Sequence, residues 1–168
     1  MNVSFASSYD EVMDTFKNGD YDIIHFSTHG KHNADAPVLS EIDLGNGYYL
    51  QPNAINGKAT DFGKSHPLVI LNACESGKLD FSFTAVQGWA TQFLEAGASA
   101  FICSLWSVTD QIALKFAKEL YSQLFNGVRL GEAVRISRLE CRKSGDPSWL
   151  AYQVYGHPNM KVEPKYRR

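Results

Sequence analysis

The sequence has too few cysteines for a disulfide-stabilised protein. Cys74, Cys103 and Cys141 are its three cysteines in 168 residues, they lie far apart, and no CxxC pair occurs. An odd number of widely spaced thiols argues against both a disulfide framework and a zinc knuckle. We therefore expect a protein of a reducing compartment that needs no cofactor and no structural metal.

Long apolar runs and a strong charge of one sign are also missing. The longest apolar stretch, near 96–106, is too short to span a bilayer and is broken by Gly and Ser, and the N-terminal segment has no basic or apolar leader region. The formal net charge is only −2, which gives no reason to expect a membrane or a nucleic acid as a direct partner. The sequence predicts a cytoplasmic protein.

Several catalytic and nucleotide-binding motifs do not occur. Neither GxGxxG nor GxxxxGK is present, so no Gly-rich phosphate loop is expected. The nucleophile elbow of α/β-hydrolases has Gly two residues to either side of its nucleophile, whereas Asn72 and Ser76 occupy these positions around Cys74. Esterase chemistry of that type is not supported.

The chain does contain buried-strand patterns that end in reactive side chains. Apolar, β-branched runs predict strands over 21–28 and 67–73, and a third run predicts a strand over 99–106. His29 directly follows the first strand and Cys74 directly follows the second. Parallel sheets place their sites at the carboxyl ends of the strands, so a thiol and an imidazole delivered there make a candidate hydrolase site.

Helical patterns alternate with these strands. A helix capped by Ser7 or Ser8 runs to about residue 17, and apolar residues at helical spacing predict further helices over about 84–96, 110–125 and 130–143. Gly45, Asn46 and Gly47 predict the turn of a hairpin inside the long excursion 31–66. Residues 2–5 are expected to form a short edge strand, and the C-terminal segment 147–162 two extended pieces around Gly156. The prediction is one α/β domain over 1–168, ending in a tail over 158–168.

Thiol peptidase chemistry needs a nucleophile, a proton carrier and N–H donors for the oxyanion. Cys74 can supply the first and His29 the second, and Gly30 allows a substrate carbonyl to approach the backbone closely. The alternative for Cys74, taken alone, is a small buried apolar residue. A zinc site on His25 and His29 is rejected, because four residues along a strand span about 13 Å; His25 is expected to be a hydrogen-bonded core residue.

Five motifs in order resemble a known family. HFSTHG at 25–30, NACESG at 72–77, SLWSVTD at 104–110, the helical stretch 115–139 and PSWLAYQVYG at 147–156 are similar in order and spacing to the CHAT domain, a caspase-like cysteine peptidase family related to separase. The resemblance covers roughly 21–157, and residues 1–20 match weakly. It implies a caspase-like three-layer sandwich with a mostly parallel sheet and helices on both faces. It also implies that Cys74 is the nucleophile, His29 the catalytic histidine, and the N–H groups of Gly30 and Cys74 the oxyanion hole.

The resemblance also points to substrate-binding residues. An acidic residue at the position of Asp110 lines the S1 pocket in the separase-like branch and pairs with a basic P1 side chain. The residues alone leave a second role open, because Asp110 stands where the cap of a helix is expected; one residue could serve both purposes. Glu75, beside the nucleophile, is an alternative wall for a basic side chain, and Trp106 is a candidate for lining the same pocket.

The chain departs from the family at its first strand. Family members have a further strand between the one matching 2–5 and the one carrying His29, and Met1 begins too late to supply it. Two expectations stay open: another polypeptide supplies this strand, or the edge of the sheet is rebuilt. A buried strand with an unpaired edge would be an association site. The leading hypothesis is a cysteine endopeptidase that cleaves a protein after a basic residue and is activated in trans by a sensor or activator protein. The alternatives are a catalytically idle scaffold that binds other proteins, and a thiol hydrolase or transferase acting on small acyl substrates.

Overall fold

The computed structural model describes residues 3–18, 20–31, 40–55, 62, 65–74 and 83–163. Within them the chain forms ten regular elements and two short 3-10 turns, Pro52–Ala54 and Pro147–Leu150. The elements are α1 Tyr9–Asn18, β1 Ile23–Lys31, β2 Glu41–Gly45, β3 Tyr48–Leu50, β4 Leu68–Cys74, α2 Phe83–Glu95, β5 Ala100–Ser104, α3 Asp110–Phe125, α4 Leu130–Arg142 and β6 Tyr152–Gly156.

The strands form one mixed sheet in the order β3-β2-β1-β4-β5-β6. The central strands β1, β4 and β5 are parallel to one another, as their near-continuous apolar runs predict. The hairpin β2–β3 on one side and β6 on the other are antiparallel to their neighbours. The predicted α/β fold with a parallel centre is confirmed, and antiparallel strands flank that centre on both sides.

Helices cover both faces of the sheet, as predicted. On one face α1 and α2 bury Phe16 and Phe93 in a cluster that includes Val69 of β4. On the other face α3 and α4 bury residues such as Phe116 against Ile70. Alternate residues of β4 therefore feed opposite cores, and each fully buried Phe side chain stabilises the fold by about 1.5–3 kcal/mol. The result is the predicted three-layer sandwich.

The helix start predicted near residue 8 is confirmed by its hydrogen bonds. The Glu11 backbone N–H donates to the Ser8 side-chain oxygen over 3.3 Å, and the Ser7 N–H donates to the Glu11 carboxylate over 2.8 Å. Ser8 thus satisfies one of the free N–H groups of the first turn of α1. These bonds hold the pKa of Glu11 below its ordinary value, chiefly through the Ser7 N–H.

The predicted edge strand at the N-terminus is wrong for residues 3–5, which have no regular secondary structure. Among the described strands, β1 pairs over Ile23–His29 with β4 alone, and β2 reaches it only at Gly30 and Lys31. A strand at 3–5 would need a neighbour between itself and β1, and without one its backbone groups have no ladder to join. The Phe5 side chain accordingly remains 93% exposed.

The ends of β1 and β5 differ from those predicted, because hydrogen bonding to a neighbouring strand determines where a strand ends. β1 continues to Lys31 instead of ending at residue 28, because Gly30 pairs with Ile42 of β2. β5 occupies Ala100–Ser104, shorter than the predicted 99–106. The predicted hairpin is confirmed, with positive φ of 85°, 54° and 80° at residues 45, 46 and 47, as a tight hairpin turn requires.

The C-terminal segment is only partly extended. Pro147–Leu150 is a 3-10 turn, β6 follows, and residues 157–163 have no regular secondary structure. Part of the segment assigned to a tail is held against α4: the Leu130 N–H donates to the Met160 carbonyl over 2.8 Å, and Val162 is buried in the core. None of the described helices has the length and apolarity that crossing a bilayer would require.

Candidate active site

His29 and Cys74 lie on neighbouring parallel strands in direct register. The pairing of β1 with β4 runs without a shift from Ile23 opposite Leu68 to His29 opposite Cys74. Neighbouring strands are about 4.8 Å apart, so the two backbones are adjacent at the carboxyl end of the parallel centre. Cys74 is the last residue of β4, and His29 lies two residues before the end of β1.

On each of these two strands every second residue belongs to the face of the sheet that α3 and α4 cover, and positions 29 and 74 fall in this set. On β1 that set includes His25, which contacts Tyr121 of α3, and His29, whose side chain is exposed. On β4 it includes Ile70 and then, by alternation, position 74. The side chain of Cys74 and the whole of Glu75 lie outside the described residues, so the predicted pocket wall at Glu75 stays a prediction.

The other two cysteines are buried in the core. Cys103 in β5 and Cys141 in α4 are 1% and 0% exposed. Burial raises the pKa of the Cys103 thiol strongly and that of the Cys141 thiol to about 11. The Cys141 thiol also donates to the Ile112 carbonyl over 3.8 Å. Because the thiolate is the nucleophilic form, neither of these residues is suited to attack a substrate.

Asp110 is the first residue of α3 and its side chain is exposed. The capping role considered for it is wrong: Thr109 is the cap, with extended backbone at φ −69° and ψ 152°, and its hydroxyl accepts from the Ile112 N–H over 3.4 Å. The Asp110 carboxylate is therefore not used as the cap. Since α3 follows β5, Asp110 lies at the same end of the sheet as His29.

Gly30 and Trp106, two further residues of the predicted site, are both half-buried. Gly30 is half-buried within β1, opposite Ile42. Trp106 is half-buried and packs against the core between the sheet and α3.

A buried hydrogen-bond network lies beneath the strand ends. The Asn72 amide donates to His25 Nε2 over 3.1 Å, which leaves the Nδ1–H of a neutral imidazole to donate to the Tyr121 hydroxyl at 2.7 Å. Burial lowers the pKa of His25 and raises that of Tyr121 to about 12. The neutral imidazole thus ties β1, β4 and α3 together, which confirms His25 as a hydrogen-bonded core residue.

Sequence reasoning missed the two partners of His25. A polar Asn72 within the apolar run LVILNAC is the usual sign of a buried side chain that needs a hydrogen bond, and this signal was available. Tyr121 gave no comparable signal, since it is 96 residues from His25 and beside the apolar stripe of its helix. In the described part of the chain, no three His, Cys, Asp or Glu side chains are grouped so as to hold a metal ion.

The mixed sheet between two helical layers, with His and Cys in register at its carboxyl end, defines the class of caspase-like cysteine peptidase folds. The solved structure of the Arg specific cysteine proteinase gingipain R (RGPB) is similar, with a TM-score of 0.65 over 95% of this chain and 37% of that chain, at 15% identity. At this identity the likeness concerns the fold.

The family follows from the sequence match. Residues 2–160 match the CHAT domain, and the chain belongs to this family. Human Tetratricopeptide repeat protein 28 is 28% identical over 93 residues, which make up 53% of this chain. The match covers 4% of the human protein's length, so this chain corresponds to a small part of that relative.

Proposed function

We propose that this chain is a cysteine endopeptidase that uses Cys74 as nucleophile and His29 as proton carrier. The observation that carries the proposal is the direct register of His29 with Cys74 at the carboxyl end of the sheet. Membership of the CHAT family and the fold of a cysteine proteinase support it. The burial of Cys103 and Cys141 supports Cys74 further, because it leaves this residue as the candidate thiol.

The proposed mechanism uses two steps. The Cys74 thiolate attacks the scissile carbonyl, and the N–H groups of Gly30 and Cys74 stabilise the oxyanion of the tetrahedral intermediate. His29 protonates the leaving amine and then activates the water that hydrolyses the thioester. Strands about 4.8 Å apart hold the two residues within the span of one peptide group. The network of His25 keeps these strands aligned.

We further propose that Asp110 selects a basic P1 side chain, with Glu75 and Trp106 beside it. Tyr121 contacts His25, and Asp110 precedes Tyr121 by eleven residues of α3, or about 16 Å. His29 follows His25 by about 13 Å along β1. Asp110 and His29 therefore lie at similar heights, and an exposed carboxylate there can form a charge-assisted pair with Arg or Lys. The structural neighbour is named as an Arg specific cysteine proteinase, which agrees with this choice.

A sensor or activator protein acting in trans is part of the proposal, as is action on a protein substrate in the cytoplasm. The human relative is named for tetratricopeptide repeats and is far longer than the region it shares with this chain. A matching region accompanied by much additional sequence in a relative agrees with control by further protein modules. We propose that the controlling module is a sensor or activator protein that binds this domain.

The test is a cleavage-site profile of a cell lysate, which also contains candidate activators, with wild-type protein and variants. Cys74→Ala should abolish every cleavage that the wild type produces, with an unchanged circular dichroism spectrum, because the nucleophile is lost. Cys103→Ala removes a buried thiol and is the matched control, which should retain the wild-type profile. Cleavage retained by folded Cys74→Ala would overturn the assignment.

A further inference from the structure

A second surface, separate from the candidate active site, lies between α4 and β6. It is a groove of about 260 Å³. Apolar side chains, Val134 and Leu139 of α4 and Val154 of β6, form part of its lining, and Arg138 and Trp149 lie beside them. An apolar floor with a few polar groups at its margin is typical of a binding groove.

The groove runs along the open edge of the sheet. Among the described strands, β6 pairs with β5 and with no other strand. The consecutive residues Tyr152, Gln153 and Val154 all line the groove, although successive side chains of a strand point to opposite faces. The groove must therefore reach the strand edge, where every second residue directs its N–H and C=O away from β5.

Positive charge is concentrated beside this edge. The guanidinium groups of Arg138 and Arg142 lie over the Trp149 ring, 5.8 and 5.4 Å from its centroid. The Arg138 Nε–H donates to the Trp149 carbonyl over 3.2 Å, which fixes this guanidinium at the groove. Neither arginine forms an ion pair with any of the carboxylates in the described ranges. Their charges are held in place and remain available.

A neighbouring arginine provides the contrast. Arg135 also lines the groove, but Glu132 neutralises it through two hydrogen bonds of 2.7 Å each. The free charge therefore comes from Arg138 and Arg142, on the same face of α4 one turn apart. Two positive groups on an aromatic ring can form charge-assisted hydrogen bonds with carboxylates.

We propose that this groove binds an extended, acidic segment of another protein. The segment would add a strand to β6 through backbone hydrogen bonds, place apolar side chains against the groove floor and direct carboxylates to Arg138 and Arg142. Charge complementarity selects this occupant over a second copy of the chain. A two-fold pairing through β6 would bring the same arginines of both copies toward each other, and like charges placed together oppose association.

The groove at the β6 edge is close to the candidate active site without being part of it. Tyr152 pairs with Ser104 at the carboxyl end of β5, so this half of β6 lies at the end of the sheet that carries Cys74. β6 is two strands from β4, a distance of about 10 Å. A segment bound there would be held beside the peptidase site whether or not that site is active, so the proposal does not rest on catalysis.

The experiment is an NMR titration of the isotope-labelled chain with two synthetic peptides. One alternates Val with Asp and Glu over six residues, and the other has Lys in place of every acidic residue. The acidic peptide should shift the backbone amide signals of residues 153–155 and the Nε–H signal of Arg138. Its affinity should be at least tenfold higher than that of the Lys peptide.

A charge reversal makes the test specific. Arg142→Glu, at an exposed position, should lower the affinity for the acidic peptide at least tenfold and raise the affinity for the Lys peptide. The matched control is Arg129→Glu at the other end of α4, where the guanidinium donates to Asn159, and it should leave both affinities unchanged. Equal binding of both peptides, an unchanged preference in Arg142→Glu, or shifts at residues 153–155 that appear on concentrating the chain alone would each overturn the proposal.

Discussion

The surroundings of each side chain decide which groups of this protein can react. Desolvation raises the thiol pKa of Cys103 and Cys141. Cys74, in contrast, is the last residue of β4, at the end of the sheet where the side chain of His29 is exposed. Sequence patterns could mark Cys74 and His29 as candidates, because a thiol or an imidazole after an apolar run is visible in the sequence. They could not show that these two residues are in register, since register depends on how β1 and β4 pair.

Asp110 offers a prediction for substrate choice. Asp110→Asn should lower kcat/KM for substrates with Arg or Lys at P1 by about 10–100-fold, the worth of one charge-assisted hydrogen bond. Substrates with an uncharged P1 residue should be cleaved as before. Asp10→Asn, in the first turn of α1 on the opposite face, is the matched control. Indifference of the wild type to a basic P1 residue, or no change in Asp110→Asn, would remove the S1 assignment.

His25 predicts a pH dependence of stability. Burial lowers its pKa in the folded state below the ordinary value of 6.5, so between the two values the unfolded chain binds more protons than the folded chain. The free energy of unfolding should therefore fall as pH decreases from about 7.5 to about 5.5. Urea unfolding at both values measures it. His25→Gln should show a smaller decrease.

The control for this effect is Thr91→Ala, which changes an exposed, non-titrating residue of α2 and should keep the wild-type dependence. The chosen pH range also lies above the titration of the surface carboxylates Glu11, Glu132 and Glu140, whose pKa values hydrogen bonds lower. An equal slope in His25→Gln and the wild type would show that His25 is not buried in its neutral form.

At the scale of elements, α3 was predictable and β1 was not. The bounds 110–125 for α3 agree with the structure, because a polar cap, an apolar stripe at helical spacing and Asn126-Gly127 are all local signals. β1 continues three residues beyond its predicted end because residues of β2, ten and twelve positions further along the chain, pair with Lys31 and Gly30. Strand ends depend on partners that no local pattern contains.

The cap of α3 gives a prediction at this scale. Thr109→Ala should lower the free energy of unfolding by about 1 kcal/mol, since the Ile112 N–H loses its acceptor. Because Asp110 follows directly, cleavage after basic residues should also weaken. Ser122→Ala, on the exposed side of the same helix, should leave both quantities nearly unchanged. Unaltered urea unfolding of Thr109→Ala would contradict the assignment of the cap.

At the scale of the whole molecule, the parallel centre places both proposed sites at one end. Cys74 and His29 lie at or near the carboxyl ends of β4 and β1, and Asp110 lies at the amino end of α3. These ends meet at one end of the sheet, and the docking groove lies two strands away. The alternation of strands and helices was enough to predict the layers. The groove was not predictable, because its lining from α4, Trp149 and β6 is assembled only in the folded chain.

The most direct test of the central claim is labelling with a peptide acyloxymethyl ketone that has Arg at P1, followed by mass spectrometry of the intact and digested protein. The account predicts a single adduct on Cys74 that disappears in Cys74→Ala and is strongly reduced in His29→Ala, while His157→Ala is labelled like the wild type. Adducts distributed over Cys103 and Cys141 as well, or labelling of Cys74 at the same rate in His29→Ala, would contradict it.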